Sequence, residues 1–342
     1  MWGIAAIYST GVLILLRRSI SNRLAVFLKP ASCCTNRVIS GGVAFFALCL
    51  LHTFPAHAAT PEPFKITLVL SEDGGSYQEF STALHSKLSN DSFNLRVIVA
   101  GQLIPKSDLA IAVGTKAATA VAGSNAPAVL NVLIPKAGHE KLLGDFPQRR
   151  SSDLYTAIFL DQPMTRQVHL IFTAFPEKHR IGILHSSLPE DIVQLRREME
   201  SHGMRMTEEE VSPGRSLAEA LHALLQKSEV LLALPDATVY NSATIRNILL
   251  TTYRSGVPVI GYSPSYAKAG AACALFSNPA QIASQSAAMI SHFRETYALP
   301  TPQYPQEFEV MVNQQVVRSL GLQVKSPTEL HDEVEVMDRM EP

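Results

Sequence analysis

Residues 228–263 read SEVLLALPDATVYNSATIRNILLTTYRSGVPVIGYS, and this stretch restricts the fold more than any other part of the chain. Val230–Leu234 is a continuous apolar run stopped by Pro235-Asp236, the pattern of a strand buried on both faces in a parallel sheet. Asp236 or Thr238 is suited to cap a following helix whose Ile245, Ile248, Leu249 and Thr252 share one face. Gly256 ends that helix, and Val257–Gly261 reads as a second short buried strand. A strand–helix–strand unit of this kind places the chain in the α/β class. Ligands of open α/β sheets sit beyond the carboxyl ends of the strands, so Pro235–Thr238 and Tyr262–Ser265 nominate a site.

The same rhythm runs through the rest of the body. Phe64–Leu70, Leu95–Ala100, Asp108–Val113 and Pro127–Val132 read as strands, with helices over 77–88 and 116–122, giving β-α-β-β-α-β. Leu154–Leu160 ends at Asp161-Gln162-Pro163, and there the series restarts with strands at His179–Leu184 and Met204–Val211. Ser216 and Glu219 have the spacing of a capping box. Two strand–helix series with a break near Asp161 imply two similar lobes, each a mostly parallel sheet flanked by helices. The segment 300–305, with three prolines, is expected to be a linker, and the charged tail after Pro327 is expected to fray.

The first 58 residues form a leader of different character. They hold five basic residues and no acid, and residues 38–55 are an apolar core followed by Ala56-His57-Ala58. Basic flank, apolar run and A-x-A site are the parts of an export signal, so cleavage is expected after Ala58 and the mature protein in the periplasm. A retained anchor and a lipid-modified Cys49 are the alternatives. Without the leader, 24 basic residues face 30 acidic ones, and no basic stripe offers itself to nucleic acid. Cys273 is then the sole cysteine, which rules out an internal disulfide and a cysteine-held metal. The nine histidines of the body show no i, i+4 helical pair, and no metal or cofactor is expected.

Bond-breaking machinery is equally hard to find. Gly261–Ser265 (GYSPS) departs from a nucleophile elbow at its last glycine, and Gly114-Thr115-Lys116 lacks phosphate-loop spacing. What remains is a set of small polar residues at strand ends: Ser71, Ser76, Thr115, His185, Ser186, Asp236, Thr238, Tyr262 and Ser263. Together they suit a polar or zwitterionic small molecule, with helix N-termini for a carboxylate, Asp236 for an ammonium group and Tyr262 as an aromatic face.

Asp108–Thr115 (DLAIAVGT), Leu234–Thr238 (LPDAT), Val257–Gly261 (VPVIG), Ala269–Ala271, Val312-Asn313 and Leu320–Leu322 occur in an order that resembles the solute-binding proteins of ABC uptake systems, in the tryptophan/tyrosine-binding group. The resemblance spans about residues 64–322 and implies the type I periplasmic binding fold, in which two lobes joined by crossing strands close like a jaw on a solute. It implies lobe one at 59–160 plus 265–297, lobe two at 161–264 plus 298–330, and a tail at 331–342. Hinges are expected near Asp161, Pro264 and Pro300. Ser76, Thr115, Ser186, Asp236 and Ser263 match the family's cleft. Two stretches depart from it: the acidic, glycine-rich Ser71–Ser76 loop and the charged Lys136–Arg150 segment. The expectation is a non-enzymatic binding protein that hands a small polar solute, with amino-acid-like molecules as one candidate class, to an inner-membrane ABC permease. The rival roles are a periplasmic sensor signalling to a membrane partner, and an enzyme on a related scaffold.

Overall fold

The computed structural model describes residues 62–340, apart from 90, 91, 189 and 190. The leader and its cleavage after Ala58 fall outside the described residues.

Strands β1 (Phe64–Leu70), β2 (Phe93–Val99), β3 (Leu109–Val113), β4 (Val129–Ile134) and β5 (Tyr155–Phe159) form one sheet in the order β2-β1-β3-β4-β5, every pair parallel. Helix α1 (Gly75–Lys87) leaves β1, α2 (Thr115–Ala122) leaves β3, and α3 (Lys136–Asp145) and the short α4 (Pro147–Arg150) leave β4. Ile66, Leu68 and Leu70 turn to one face, where they meet Phe80 and Leu84 of α1. Val69, Ala110 and Ala112 turn to the other, against Val121 and Leu142. That double burial is why these strands read as unbroken apolar runs.

The second half repeats the plan with α5 (Met164–Ala174), β6 (Arg180–His185), α6 (Ile192–Ser201), β7 (Arg205–Glu210), α7 (Leu217–Leu225), β8 (Val230–Leu232), α8 (Ile245–Arg254), β9 (Val259–Gly261), α9 (Pro264–Ala269) and β10 (Cys273–Phe276). Then come α10 (Pro279–Thr296), β11 (Glu309–Val312), α11 (Gln314–Ser319) and α12 (Pro327–Met340). Its sheet runs β11-β10-β9-β8-β6-β7, parallel except for β11 at one edge. Ile181 and Ile183 face α5, α6 and α12; Leu184 and Leu231 face α7 and α8. The expected capping box is present, Ser216 with Glu219 capping α7, and a second, Asn278 with Gln281, caps α10.

The chain passes between the two sheets three times: after β5, after β10 and after α10. The passages lie side by side. Gln162 donates to Ser277 Oγ at 2.9 Å, Ser277 Oγ donates to the Glu307 carbonyl at 2.5 Å, and Phe159 and Gln303 exchange backbone bonds with each other's strand.

Four expectations need correction. Residues 265–276, assigned above to lobe one, belong to the second sheet, because β10 pairs with β9 and α9 packs on both. The second crossing therefore falls at Ser277-Asn278, and Pro264 is the first residue of α9 rather than a hinge. Asp236 and Thr238 do not cap α8, which starts at Ile245 behind Thr244 after an intervening turn. Finally, residues 327–340 are an ordered helix: Leu330 and Val334 are buried in the second core, and Ser326 bonds reciprocally with Glu329 at its start.

Candidate functional site

Between the sheets lies a cavity of about 690 Å³. One wall comes from the loop after β1 and the first turn of α1, including Glu72, Asp73, Ser76 and Tyr77, with Leu133 and Leu160 behind them. The facing wall comes from Tyr262, Ser263, Pro264 and Lys268 at the end of β9 and start of α9, with Glu309 and Met311 of β11. Ser277 and Asn278 close the floor where the chain crosses.

Local backbone geometry explains how the first wall is made. Gly74 precedes α1 with φ 95° and ψ −177°, a region open essentially to glycine alone, and no side chain caps the helix. The first N–H groups of α1 therefore point out of the helix end without an internal acceptor. Gly114 takes a similar conformation before α2 (φ 84°, ψ 169°), and a Cβ there would lie 2.6 Å from Ser71 Oγ and 2.8 Å from the Tyr77 ring. Bare backbone at Gly114 leaves the space that Ser71 Oγ and the Tyr77 ring occupy beside it. Leu133 sits at a register shift in β4 with φ 52°, a left-handed turn rare for leucine. The bulge breaks the pleat's alternation at this point, and Leu133 reaches the cavity.

Charge is unevenly spread over the lining. Glu72, Asp73, Glu79 and Glu309 face the single cation Lys268. Glu309 accepts from Asn278 Nδ2 at 2.5 Å, which holds its carboxylate toward the crossing. Tyr262 accepts from the Tyr266 hydroxyl at 2.7 Å, and their rings lie 4.6 Å apart. Burial raises the Tyr262 hydroxyl above its ordinary pKa, so it stays a neutral donor.

Of the nine residues nominated from sequence, Ser76, Tyr262 and Ser263 line this cavity. Ser71 is a brace: its buried Oγ donates to the Val113 carbonyl at 2.8 Å and accepts from Ala117 N at 3.0 Å. Thr115 begins α2 and is exposed, off the cavity wall. Ser186, Asp236 and Thr238 form a separate group on lobe two, beside the buried His185. There the Asp236 carboxylate accepts from Ser186 N (2.6 Å), Ser186 Oγ (2.9 Å), Thr238 N (2.9 Å) and Val239 N (3.3 Å). Sequence reasoning missed Glu72, Asp73, Tyr77, Lys268 and Glu309 as lining residues. The departure of the Ser71–Ser76 loop from the family pattern was the available signal for the first two; nothing local marks Glu309.

On the flank of the cavity the two lobes are joined directly. Lys136 at the start of α3 forms an ion pair with Asp191 before α6, and Tyr304 of the third crossing donates to the same carboxylate at 2.9 Å. Burial opposes the charge on Asp191, but these two partners hold its pKa below the ordinary value. Asp161, beside them, accepts from Lys136 N at 2.6 Å, and burial pushes its pKa up to about 6.

Residues 77–330 match the family model described as ABC transporter substrate binding protein. The chain belongs to that family. Solved structures of similar shape share its fold at low identity. A conserved domain protein from Vibrio cholerae is 18% identical with a TM-score of 0.57, covering 78% of this chain and 98% of its own. A domain from Streptococcus pneumonia in complex with L-Trp is 14% identical at 0.59, covering 79% and 98%. A ligand-free, open substrate-binding protein with adhesive properties from Clostridium difficile is 13% identical at 0.58, covering 77% and 96%. No curated protein sequence matches the chain. No helix among the described residues is long and apolar enough to cross a membrane.

Proposed function

We propose that this substrate-binding protein works in the periplasm, captures a small zwitterionic solute in the interlobe cavity and delivers it to an inner-membrane ABC permease. The observation that carries the reading is the lining: uncapped N–H groups at the start of α1 suit a carboxylate, and the acidic excess around Glu72, Asp73 and Glu309 suits an ammonium group. Tyr77 and Tyr262 add aromatic faces. A volume of about 690 Å³ is in the range of small-molecule sites and admits an amino acid with a bulky side chain. The L-Trp bound to the Streptococcus relative is consistent with this class. Closing of the lobes about the three crossings would shield the solute, its binding energy favouring the closed state. Asp236 acts from behind, fixing the Ser186 and Thr238 backbone at the edge of lobe two.

A thermal-shift screen of the purified protein against amino acids tests the reading, because a solute that favours the folded, closed form raises apparent stability. We expect at least one zwitterion to raise the melting temperature and Glu309→Gln to weaken it tenfold or more by calorimetry. Asp236→Ala, which frees the Ser186 and Thr238 backbone, is also expected to weaken an amine-bearing ligand by tenfold or more; unchanged affinity would show that binding does not depend on this brace. A screen in which only anions or neutral sugars bind would overturn the zwitterion.

A further inference from the structure

Helices α5 and α6 bring His169, Glu198 and His202 together on the outer side of lobe two, with one ligand atom from each within 4.8 Å of the others. None of the three lines the interlobe cavity. His169 is fully buried, and its Nδ1 lies 2.8 Å from Asp338 Oδ1 of α12. Arg166 donates to the other oxygen of Asp338 at 2.5 Å, so this carboxylate is oriented and acts as an acceptor. A histidine whose Nδ1–H is taken by a carboxylate presents Nε2 as its lone-pair nitrogen, the arrangement found behind metal-bound imidazoles. His169 Nε2 is itself buried.

Glu198 and His202 are one turn apart at the end of α6, the spacing that puts two ligands on one helix face. The Glu198 carboxylate oxygen nearest His202 is 3.4 Å from its Nδ1 and is buried without a hydrogen-bond partner. The His202 ring lies 5.5 Å from that of His169 and edge-on to Phe172. Both side chains on α6 keep a little exposure (18% for Glu198 and 15% for His202), enough to open an entry path from solvent.

We propose that His169, Glu198 and His202 form a zinc site, with Asp338 as the residue that positions His169. Two imidazoles and one carboxylate suit a borderline divalent ion, and three protein ligands leave a fourth tetrahedral position for water. Asp338 reaches His169 from α12, so zinc would tie α5 to α6 and, through Asp338, the C-terminal helix to both. The search for paired histidines on one helix could not find this group, since its histidines stand on different helices.

The test is zinc uptake by the purified, tag-free protein after chelator treatment, measured by competition with a chromogenic chelator and by melting temperature. We expect one zinc per chain, binding at micromolar concentration or tighter, and a melting temperature that rises with zinc. Glu198→Gln and His202→Gln should each weaken binding at least tenfold, and Asp338→Asn by roughly 10–100-fold. Each variant's circular dichroism and zinc-free melting temperature establish that it folds. Cobalt substitution should give the visible absorption of a tetrahedral site. Absence of zinc uptake, or uptake unchanged in the Glu198→Gln and His202→Gln double variant, overturns the proposal.

Discussion

Gly114 shows how much of the cavity depends on single backbone positions. Its conformation is one that side chains avoid, and Ser71 and Tyr77 occupy the space a Cβ would take. Gly114→Ala is expected to lower stability by about 1–3 kcal/mol from backbone conformation alone, read from urea midpoints, and to weaken solute binding by moving Tyr77. Two buried titrating groups set the response to acid in opposite directions. His139, stacked 5.3 Å from Tyr155, has its pKa pushed down to about 4 by burial. Between the ordinary 6.5 and about 4, the unfolded chain takes up a proton that the folded chain refuses, so His139 makes stability fall as pH falls. Asp161 behaves in the reverse sense: folded, it holds its proton up to about 6 against an ordinary 3.8, so stability rises as pH falls through that window. Each effect is on the order of 3 kcal/mol at full extent, and they largely offset. Asp161→Asn should therefore lose more stability than the parent between pH 7 and 4.5, and His139→Gln less, by denaturant titration at both pH values.

At the scale of elements, the strands were legible because double burial leaves an uninterrupted apolar run, as in Val230–Leu232 or Leu109–Val113. Charged helices were not. The Lys136–Arg150 segment reads only as a charged departure from the family pattern, yet it contains α3 and α4, and Arg149 is buried. Its guanidinium donates to the carbonyls of Val121, Ala122, Ser124 and Ala126, closing the C-terminal end of α2. Those acceptors are backbone, which no residue pattern reveals. Arg149→Met should cost more than about 2 kcal/mol in urea unfolding, because four carbonyls at the end of α2 lose a charged donor. Helix α12 was misread for a related reason. Only Leu330 and Val334 of this largely charged helix are fully buried, and the partners of Asp338 stand 172 and 169 residues earlier, on α5.

For the whole molecule, two layered α/β lobes were readable from the restart after Asp161, and the strand ends located a piece of each cavity wall, Ser76 on one and Tyr262 and Ser263 on the other. Which segments face each other across it was not, because that depends on where the chain crosses. A crossing at Ser277 instead of Pro264 puts β11 and Glu309 opposite α1. The Lys136–Asp191–Tyr304 contact belongs to this scale as well, since it spans both lobes and a crossing. Asp191→Asn removes the ion pair and is expected to shift solute-free protein toward more extended shapes, measured as a larger radius of gyration by X-ray scattering.

The threefold crossing also bears on how the protein is made. Helix α10 covers the β1–α1 face of the first lobe, with Phe293 edge-on to Phe64 at 5.9 Å, but it is synthesised only after most of the second lobe. A nascent chain that has reached Ser277 holds all five strands of its first sheet and still shows a naked apolar flank. Long-range closure of this kind delays folding, which leaves the nascent polypeptide open to chaperones until the last fifth or so of the chain emerges.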